Sequence, residues 1–320
     1  MTQTPHHAGH PDAGRTHAHR IGVVGAGRVG AVLAAALRSA GHEIVAAAGE
    51  SGASRTRIET LLPGVPVLKP SAVARACDVL LLTVPDDMLR NVVEMLTASG
   101  AIRPGQHLVH TSGRHGLDVL SAATAIGAHP VALHPAMTFT GTDLDLGRLS
   151  GCVFGVTAGD EEKAFTEALV ADLGGRPMWV SEDRRTLYHA GLAHGANHLV
   201  TLVSEALEML AAAGADQPAD TLRPLLQAAL DNALSYGDAA LTGPIVRGDV
   251  NTVRAHLADL RESAPHTLPS YVAMARATLI RAVDDGRLPP LRATEISGLL
   301  DAAGPDAGTG QAAADRARLQ

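Results

Sequence analysis

The stretch RIGVVGAGRVGAVLAAALRSAGHEIVAAAGES, residues 20–51, sets Gly25, Gly27 and Gly30 between a short apolar run and an alanine-rich segment. RIGVV reads as a buried strand, the segment after it as a helix, and EIVAAA as a second strand. In that setting each glycine has a task. The first permits a tight turn, the second lets backbone N–H groups reach a pyrophosphate, and the third lets the helix pack on the strand. Gly25, Ala26, Gly27, Arg28, Val29 and Gly30 are therefore expected to hold a dinucleotide.

The same rhythm continues to about Val180, where VPVL, DVLLLTVP, HLVHTSG, PVALHP, CVFGVTAG and PMWVSE alternate with helix-like segments. Continuous apolar runs separated by helices indicate a parallel sheet buried on both faces. The expected fold is a doubly wound α/β Rossmann domain over residues 20–182, followed by an all-helical domain over 183–287. Arg184 to Ala213 contains no proline and predicts one helix of about eight turns at ~3.6 residues each. Residues 1–19 carry His6, His7, His10, His17 and His19 without periodicity and read as a disordered leader. Residues 288–320 turn to Pro, Gly, Ala and Asp and read as a mobile tail, with at most a short helix near 293–302.

Composition narrows the function. The net charge of −7 is spread along the chain, with no basic block interleaved with aromatics, which argues against nucleic acid. The longest apolar runs fall far short of the ~20 residues of a membrane span. No charged-then-apolar leader opens the chain, so a cytoplasmic protein is expected. Cys77 and Cys152 lie in or beside apolar runs, where a free thiol behaves as a small hydrophobe rather than a disulfide or metal ligand.

The second strand closes at Ala48-Gly49, where NAD proteins carry an acid for the ribose 2′-hydroxyl. Ser51, Ser54 and Arg55 offer contacts for a 2′-phosphate instead, so NADP(H) is expected over NAD(H), with Glu50 the residue that could reverse the choice. DVLLLTVP should bring Val84 and Pro85 alongside the cofactor, while Asp86 either faces the ligand or caps the next helix. LVHTSGRHG and VALHPAMTFTG should open onto the same crevice. They would bring His110, Thr111, Ser112 and Gly113 near His134, Pro135 and Thr138, with Thr111 on the cofactor side. Hydroxyls and amides there suit a substrate carboxylate or carbonyl, with Ser112, Gly113 and Thr138 as its contacts. Ser-Gly and His-Pro are also ordinary loop punctuation.

YHAGLAHGANH, residues 188–198, holds three histidines on the long helix. At ~100° per residue, taking Asn197 as zero, His194 lies about 60° to one side, His189 about 80° to the other, and His198 about 100° round on the His194 side. One metal cannot take all three, and HGANH lacks the glutamate of the HExxH zinc motif, so no metal is expected. The face centred on Asn197 and flanked by His189 and His194 is the catalytic candidate: an amide can orient a carbonyl and a histidine can deliver a proton.

With GAGRVG, LVHTSG, LHPAMTF, YHAGLAHGANH and LTGPIVRGD in this order, the chain resembles an oxidoreductase family over about residues 20–285. That family pairs a Rossmann-like NADP-binding domain with a helical C-terminal domain of formerly unknown function. Its relatives include pyrroline-5-carboxylate reductase and the 6-phosphogluconate and β-hydroxyacid dehydrogenases. The resemblance implies reduction of a small 2-keto acid, with ketopantoate, a precursor in pantothenate biosynthesis, as first candidate. β-Hydroxyacid dehydrogenases use a Lys one turn before an Asn; here Asn197 matches but Ala193 stands at the Lys position, and the chain's only lysines are Lys69 and Lys163. A ketone would then take its proton from His189, His194 or His134. An imine, which already carries its proton, needs less acid catalysis, and a nucleotide sensor without turnover is the non-enzymatic alternative. In LTGPIVRGD, Arg247 could hold a carboxylate and Asp249 could cap the next helix. The resemblance also implies a homodimer through the helical domain.

Overall fold

A seven-stranded sheet runs through the N-terminal unit of the computed structural model, which describes residues 18–304. The strands are β1 Arg20–Val24, β2 Glu43–Ala48, β3 Val79–Leu82, β4 His107–His110, β5 His129–Pro135, β6 Val153–Ala158 and β7 Arg176–Trp179. The helices between them are α1 Arg28–Ser39, α2 Gly52–Leu61, α3 Pro70–Ala76, α4 Asp86–Ala98, α5 Ser121–Thr124, α6 Leu144–Leu149 and α7 Lys163–Asp172. The strand order is β2-β1-β3-β4-β5-β6-β7. The chain leaves β1 for opposite sides, so the crevice for a ligand opens between β1 and β3 at the C-terminal ends of their strands.

Both faces of the central strands are covered, which is why those strands read as unbroken apolar runs, whereas β7 at the edge is exposed. Ile21, Val23, Leu81, Val109 and Val131 pack with α1, α2 and α7 on one face, while Val24, Leu80, Leu82 and Leu108 pack with α3 and α4 on the other. Two strand expectations need correction. VPVL makes one isolated bridge, Val67 to Ala47, rather than a strand. β6 runs antiparallel to β5, with Val131 opposite Ala158 and Pro135 opposite Phe154. An apolar run buried on both faces has the same pattern whichever way it points, so sequence periodicity does not report direction. Cys77 and Cys152 are free and buried, and burial raises both thiols, Cys77 to about 11.

Backbone contacts divide the chain into two units, residues 1–194 and 195–320. The first ends with α8 Arg185–Leu192, and a π turn, Ala193–Asn197, leads into α9 His198–Ala212. The single regular helix expected from Arg184 to Ala213 is therefore interrupted. Gly191 and Gly195 lie in and beside the π turn, where they weaken the regular hydrogen-bond ladder.

The C-terminal unit continues with α10 Pro218–Tyr236, α11 Val250–Ser263, α12 Leu268–Asp284 and α13 Pro290–Asp301. Val253 and Leu257, Val272 and Leu279, and Ile296 and Leu300 close its core from α11, α12 and α13. The expected mobile tail is thus ordered as far as residue 304: α13 buries Ile296 and Leu300 fully. Its apolar pair, four residues apart, outweighs the Pro- and Gly-rich composition around it. Residues 305–320 lie outside the described residues, as do His6, His7, His10 and His17 of the leader. His19, at the leader's end, is held in place: its backbone N–H donates to His42 Nδ1 at 3.1 Å. By contrast α9 and α10 bury no residue at all, and leave Val200 and Leu234 68% and 80% exposed.

Candidate active site

The glycine turn has the geometry its spacing implies. Gly25 has φ 93°, a conformation that side chains rarely adopt, and an added Cβ there would lie 2.7 Å from the Val84 backbone nitrogen. At Gly30 a Cβ would overlap the Thr83 side chain, whose hydroxyl donates to Gly25 O at 2.7 Å. These contacts press α1 and the end of β3 onto the turn. In front of Gly27 the space is open, since a Cβ would meet nothing nearer than Gly25 O at 3.7 Å. Gly27 also N-caps α1 without a side-chain acceptor, which leaves first-turn amides available to a diphosphate. The cradle fits a dinucleotide.

The region read as a 2′-phosphate site carries a second role. Ser51 caps α2, accepting from Ser54 N–H at 3.1 Å, and the two hydroxyls lie 2.9 Å apart. Arg55 and Glu50 are exposed. Arg57 was not foreseen. A Cβ at Gly141, φ 82°, would lie 2.7 Å from Arg57 Nε and 2.9 Å from Arg28 Cγ, so the loop that follows β5 and carries the exposed Thr138 approaches both guanidinium side chains. Val84 is half-buried, Pro85 is the N-cap of α4, and Asp86 lies in that helix's first turn, 3.5 Å from Arg114.

The C-terminal ends of β4 and β5 meet α8. His110 is fully buried; its Nε2 lies 2.8 Å from Gly116 O, and Ser112 N–H donates to its Nδ1 at 3.2 Å. That pairing assigns the hydrogen to Nε2, and burial pulls the imidazole down to about 3. His134 Nδ1 lies 3.0 Å from the Tyr188 hydroxyl, and its ring meets His189 edge-on with centroids 5.7 Å apart. Burial, with His189 and Arg185 nearby, lowers His134 to about 4. Gly113 makes this approach possible: a Cβ there would overlap the His189 ring and lie 3.0 Å from His134 Nε2. A Cβ at Gly155 on β6 would likewise overlap the Tyr188 phenol. Thr111 N–H donates to Leu82 O at 3.3 Å, and Ser112 Oγ accepts from His115 N–H at 3.1 Å.

Two α8-side residues that sequence reasoning missed hold this cluster. Arg185 is fully buried and donates to Ser112 O at 2.6 Å, Gly155 O at 3.3 Å and Thr157 Oγ1 at 3.0 Å. Glu182 accepts from Leu117 N–H at 2.7 Å and Asp118 N–H at 3.3 Å, fastening the turn after His110. In SEDRRTLYH both read as charges on a solvated helix end, and nothing in the spacing distinguishes Arg185 from Arg184. Tyr188 stood in the histidine stretch but drew no role.

Of the expected site residues, Ser112, Gly113, His134 and His189 are brought together within the N-terminal unit. His194 is exposed at that unit's end. Asn197 and Arg247 belong to the C-terminal unit, where Asn197 ends the π turn and is exposed. The uniform helical wheel that grouped Asn197 with His189 does not apply through that turn. Arg247 turns its fork on Asp249, with Nε and Nη2 at 3.0 and 2.9 Å from one carboxylate oxygen. Asp249 occupies the N-cap position of α11 but makes no capping bond. Among the described residues no group of three or more His, Cys, Asp or Glu could hold a metal ion, and no helix is long and apolar enough to cross a membrane.

Two family models match the chain: a Rossmann-like domain over residues 1–135 and the domain of unknown function DUF2520 over 152–278. The chain pairs a Rossmann-like domain with a DUF2520 domain. No curated protein matches it in sequence. Among solved structures, a candidate NADP oxidoreductase from Bacteroides fragilis is 22% identical with a TM-score of 0.68, covering 82% of this chain and 98% of its own. A reductive aminase from Aspergillus terreus, in complex with NADPH and ethyl levulinate, is 19% identical with a TM-score of 0.60, over 88% and 99%. A pyrroline carboxylate reductase from Plasmodium falciparum with NADP bound is 12% identical with a TM-score of 0.53, over 84% and 97%. These likenesses establish a shared Rossmann-plus-helical fold, and the β6 segment opens the DUF2520 match.

Proposed function

We propose that the protein is an NADP-dependent oxidoreductase that reduces a small 2-keto acid, with ketopantoate as the first candidate. The observation that carries this reading is the juxtaposition, on one sheet edge, of a glycine cradle open at Gly27 and a cluster made of buried His110, half-buried His134 and His189, beside a buried guanidinium that makes no ion pair. Gly25, Ala26, Gly27, Arg28, Val29 and Gly30 would hold the pyrophosphate; Ser51, Ser54 and Arg55, with Arg57, would meet the 2′-phosphate; and Val84, Pro85 and Thr111 would flank the nicotinamide. The bound cofactor supplies the hydride. His134 and His189 face the substrate oxygen, and Ser112, Gly113 and Thr138 hold the acid end. Asn197, Arg247 and His194 keep the roles of carbonyl orientation, carboxylate contact and alternative proton donor on their sequence pattern alone.

Arg185 bears on the substrate class. Among the described residues it has no carboxylate partner, so its charge favours a carboxylate or a developing alkoxide nearby and opposes an iminium cation. An imine reductase is the second reading, supported by the reductive aminase and pyrroline carboxylate reductase among the structural relatives. We also propose a homodimer through the helical domain, because α9 exposes Leu199, Val200 and Leu202 and α10 exposes Leu225, Leu230 and Leu234. The cytoplasm is the proposed location.

The test is a spectrophotometric assay of NADPH consumption with ketopantoate and other 2-keto acids, then with cyclic imines. Turnover of keto acids supports the first reading and of imines alone the second. Tight NADPH binding with turnover of neither would overturn both in favour of a sensor.

A further inference from the structure

Tyr188 has no part in the reduction as described above and Arg185 only an influence on substrate charge, yet both lie beside the histidine that faces the site. The Tyr188 oxygen accepts from the Gly155 backbone N–H and lies 3.0 Å from His134 Nδ1. An oxygen that accepts from one side is placed to donate its own hydrogen on the other. His134 then accepts at Nδ1 and carries its hydrogen on Nε2, the nitrogen lying over Gly113. Arg185 is fully buried on the same helix and tied to β6 and to the Ser112 carbonyl, with its Nε left without a partner. Glu182 and Asp86 act on that charge without forming an ion pair with it, and a buried cation that lacks a paired carboxylate is costly to keep.

We propose that Tyr188 is the proton source of this site, delivering through His134, and that Arg185 is the positioning residue that fixes the pair and balances the charge the delivery creates. This rests on the reductase reading above. As the carbonyl carbon gains hydride, the Nε2–H bond of His134 breaks and its proton joins the alkoxide oxygen. The Tyr188 O–H bond breaks in turn, and that proton joins Nδ1. His134 ends neutral with its hydrogen on Nδ1 and Tyr188 ends as a phenolate facing Arg185 and the Gly155 N–H; the cycle closes when a solvent proton joins Nε2 and the Nδ1 proton returns to Tyr188. No step needs an imidazolium, which suits a histidine held neutral.

The groups that set His134 are all named by the packing: His189, Tyr188 and Arg185 from α8, and Asp86 from the start of α4. Burial is the largest influence, His189 and Arg185 also favour the neutral form, and Asp86 opposes them. Arg185 bears on Tyr188 with the opposite result, since its charge favours the phenolate against the burial that disfavours it. One guanidinium therefore assists both halves of the transfer.

The experiment uses the full chain labelled with ¹⁵N-histidine, titrated by NMR without substrate, alongside turnover measurements. His134 is expected as the Nε2–H tautomer, neutral down to about pH 4. Tyr188→Phe should lose that tautomer preference and lower kcat by about 10²-fold or more, with NADPH affinity intact. The wild-type proton inventory in mixed water and deuterium oxide should be curved, as two protons move together, and that of Tyr188→Phe linear. Arg185→Met should move the His134 midpoint toward its ordinary ~6.5. Should that variant not fold, Arg185→Lys keeps the charge and should leave the midpoint low while raising KM as the Ser112 turn loosens. A wild-type His134 that titrates near its ordinary value, or a Tyr188→Phe enzyme at full kcat, would overturn the relay. Absence of turnover in the wild type would instead overturn the reductase reading, while the tautomer and midpoint still decide whether the pair exists.

Discussion

The two edges of one sheet both collect histidines, and they treat them differently. At the N-terminal edge His19 stacks on His42, His107 on His129, and each pair meets an acid. His42 Nε2 lies 3.1 Å from Asp172, and the buried Glu162 receives His107 Nε2 at 2.8 Å and His129 Nδ1 at 2.6 Å. At the C-terminal edge His110, His134 and His189 meet backbone, a phenol and one another, beside a guanidinium instead of a carboxylate. The acid-paired histidines each turn a ring nitrogen onto a carboxylate and serve packing. At the other edge His110 spends both nitrogens on backbone, while His134 turns Nε2 toward Gly113, at a place where the glycine cradle can bring a ligand. Histidine count is thus a poor guide to function; the partner of each ring decides it.

The comparison breaks first at Glu162. Glu162→Leu should cost about 1–3 kcal/mol of stability by urea unfolding, because His107 and His129 lose the carboxylate they share, while kcat per folded molecule stays the same. A lost kcat would mean the N-terminal edge takes part in the chemistry. Gly113→Ala should have the converse effect. Turnover should fall by about 10²-fold as His134 and His189 are pushed from their places, for a stability cost of about 1–3 kcal/mol. Normal activity there would remove the C-terminal cluster from the reaction.

Acid titration sharpens the contrast further. Folded His110 and His134 refuse a proton until about pH 3 and about pH 4, whereas the unfolded chain binds one near ~6.5. Between those values the unfolded state holds more protons, so stability should climb as pH rises from about 4 to 6.5 and level off above. His110→Asn should flatten that slope, as followed by circular dichroism at fixed urea. The smallest intramolecular effect concerns the bare helices. Leu234→Lys should change the stability of the isolated fold by no more than ~0.5 kcal/mol. By sedimentation it should shift the chain toward monomer if α10 meets a second copy.

Much of this was legible in sequence where the signal is local. Gly25, Gly27 and Gly30 between strand and helix located the cradle, and the apolar runs located all seven strands, with VPVL the one run too many. HTSG and LHP gave the strand ends that carry His110, Ser112, Gly113 and His134. What escaped depends on partners far apart in the chain. Arg185 is 73 residues from the carbonyl it holds, and Glu162 is 55 from His107, so no periodicity links them. The direction of β6 escaped because burial on both faces looks alike from either end. The π turn escaped because a helical wheel assumes the uniform step that Ala193–Asn197 does not keep.

The most direct test of the contrast between the two edges is a titration of the ¹⁵N-labelled protein with NADPH, followed by backbone amide shifts. We expect saturable changes at Gly25 to Gly30, Val84, Thr111 and Gly113, with the amides of His42, His107 and His129 unmoved. Shifts centred on the N-terminal histidines, or none at the glycine turn, would contradict the assignment of the C-terminal edge as the working end of the sheet.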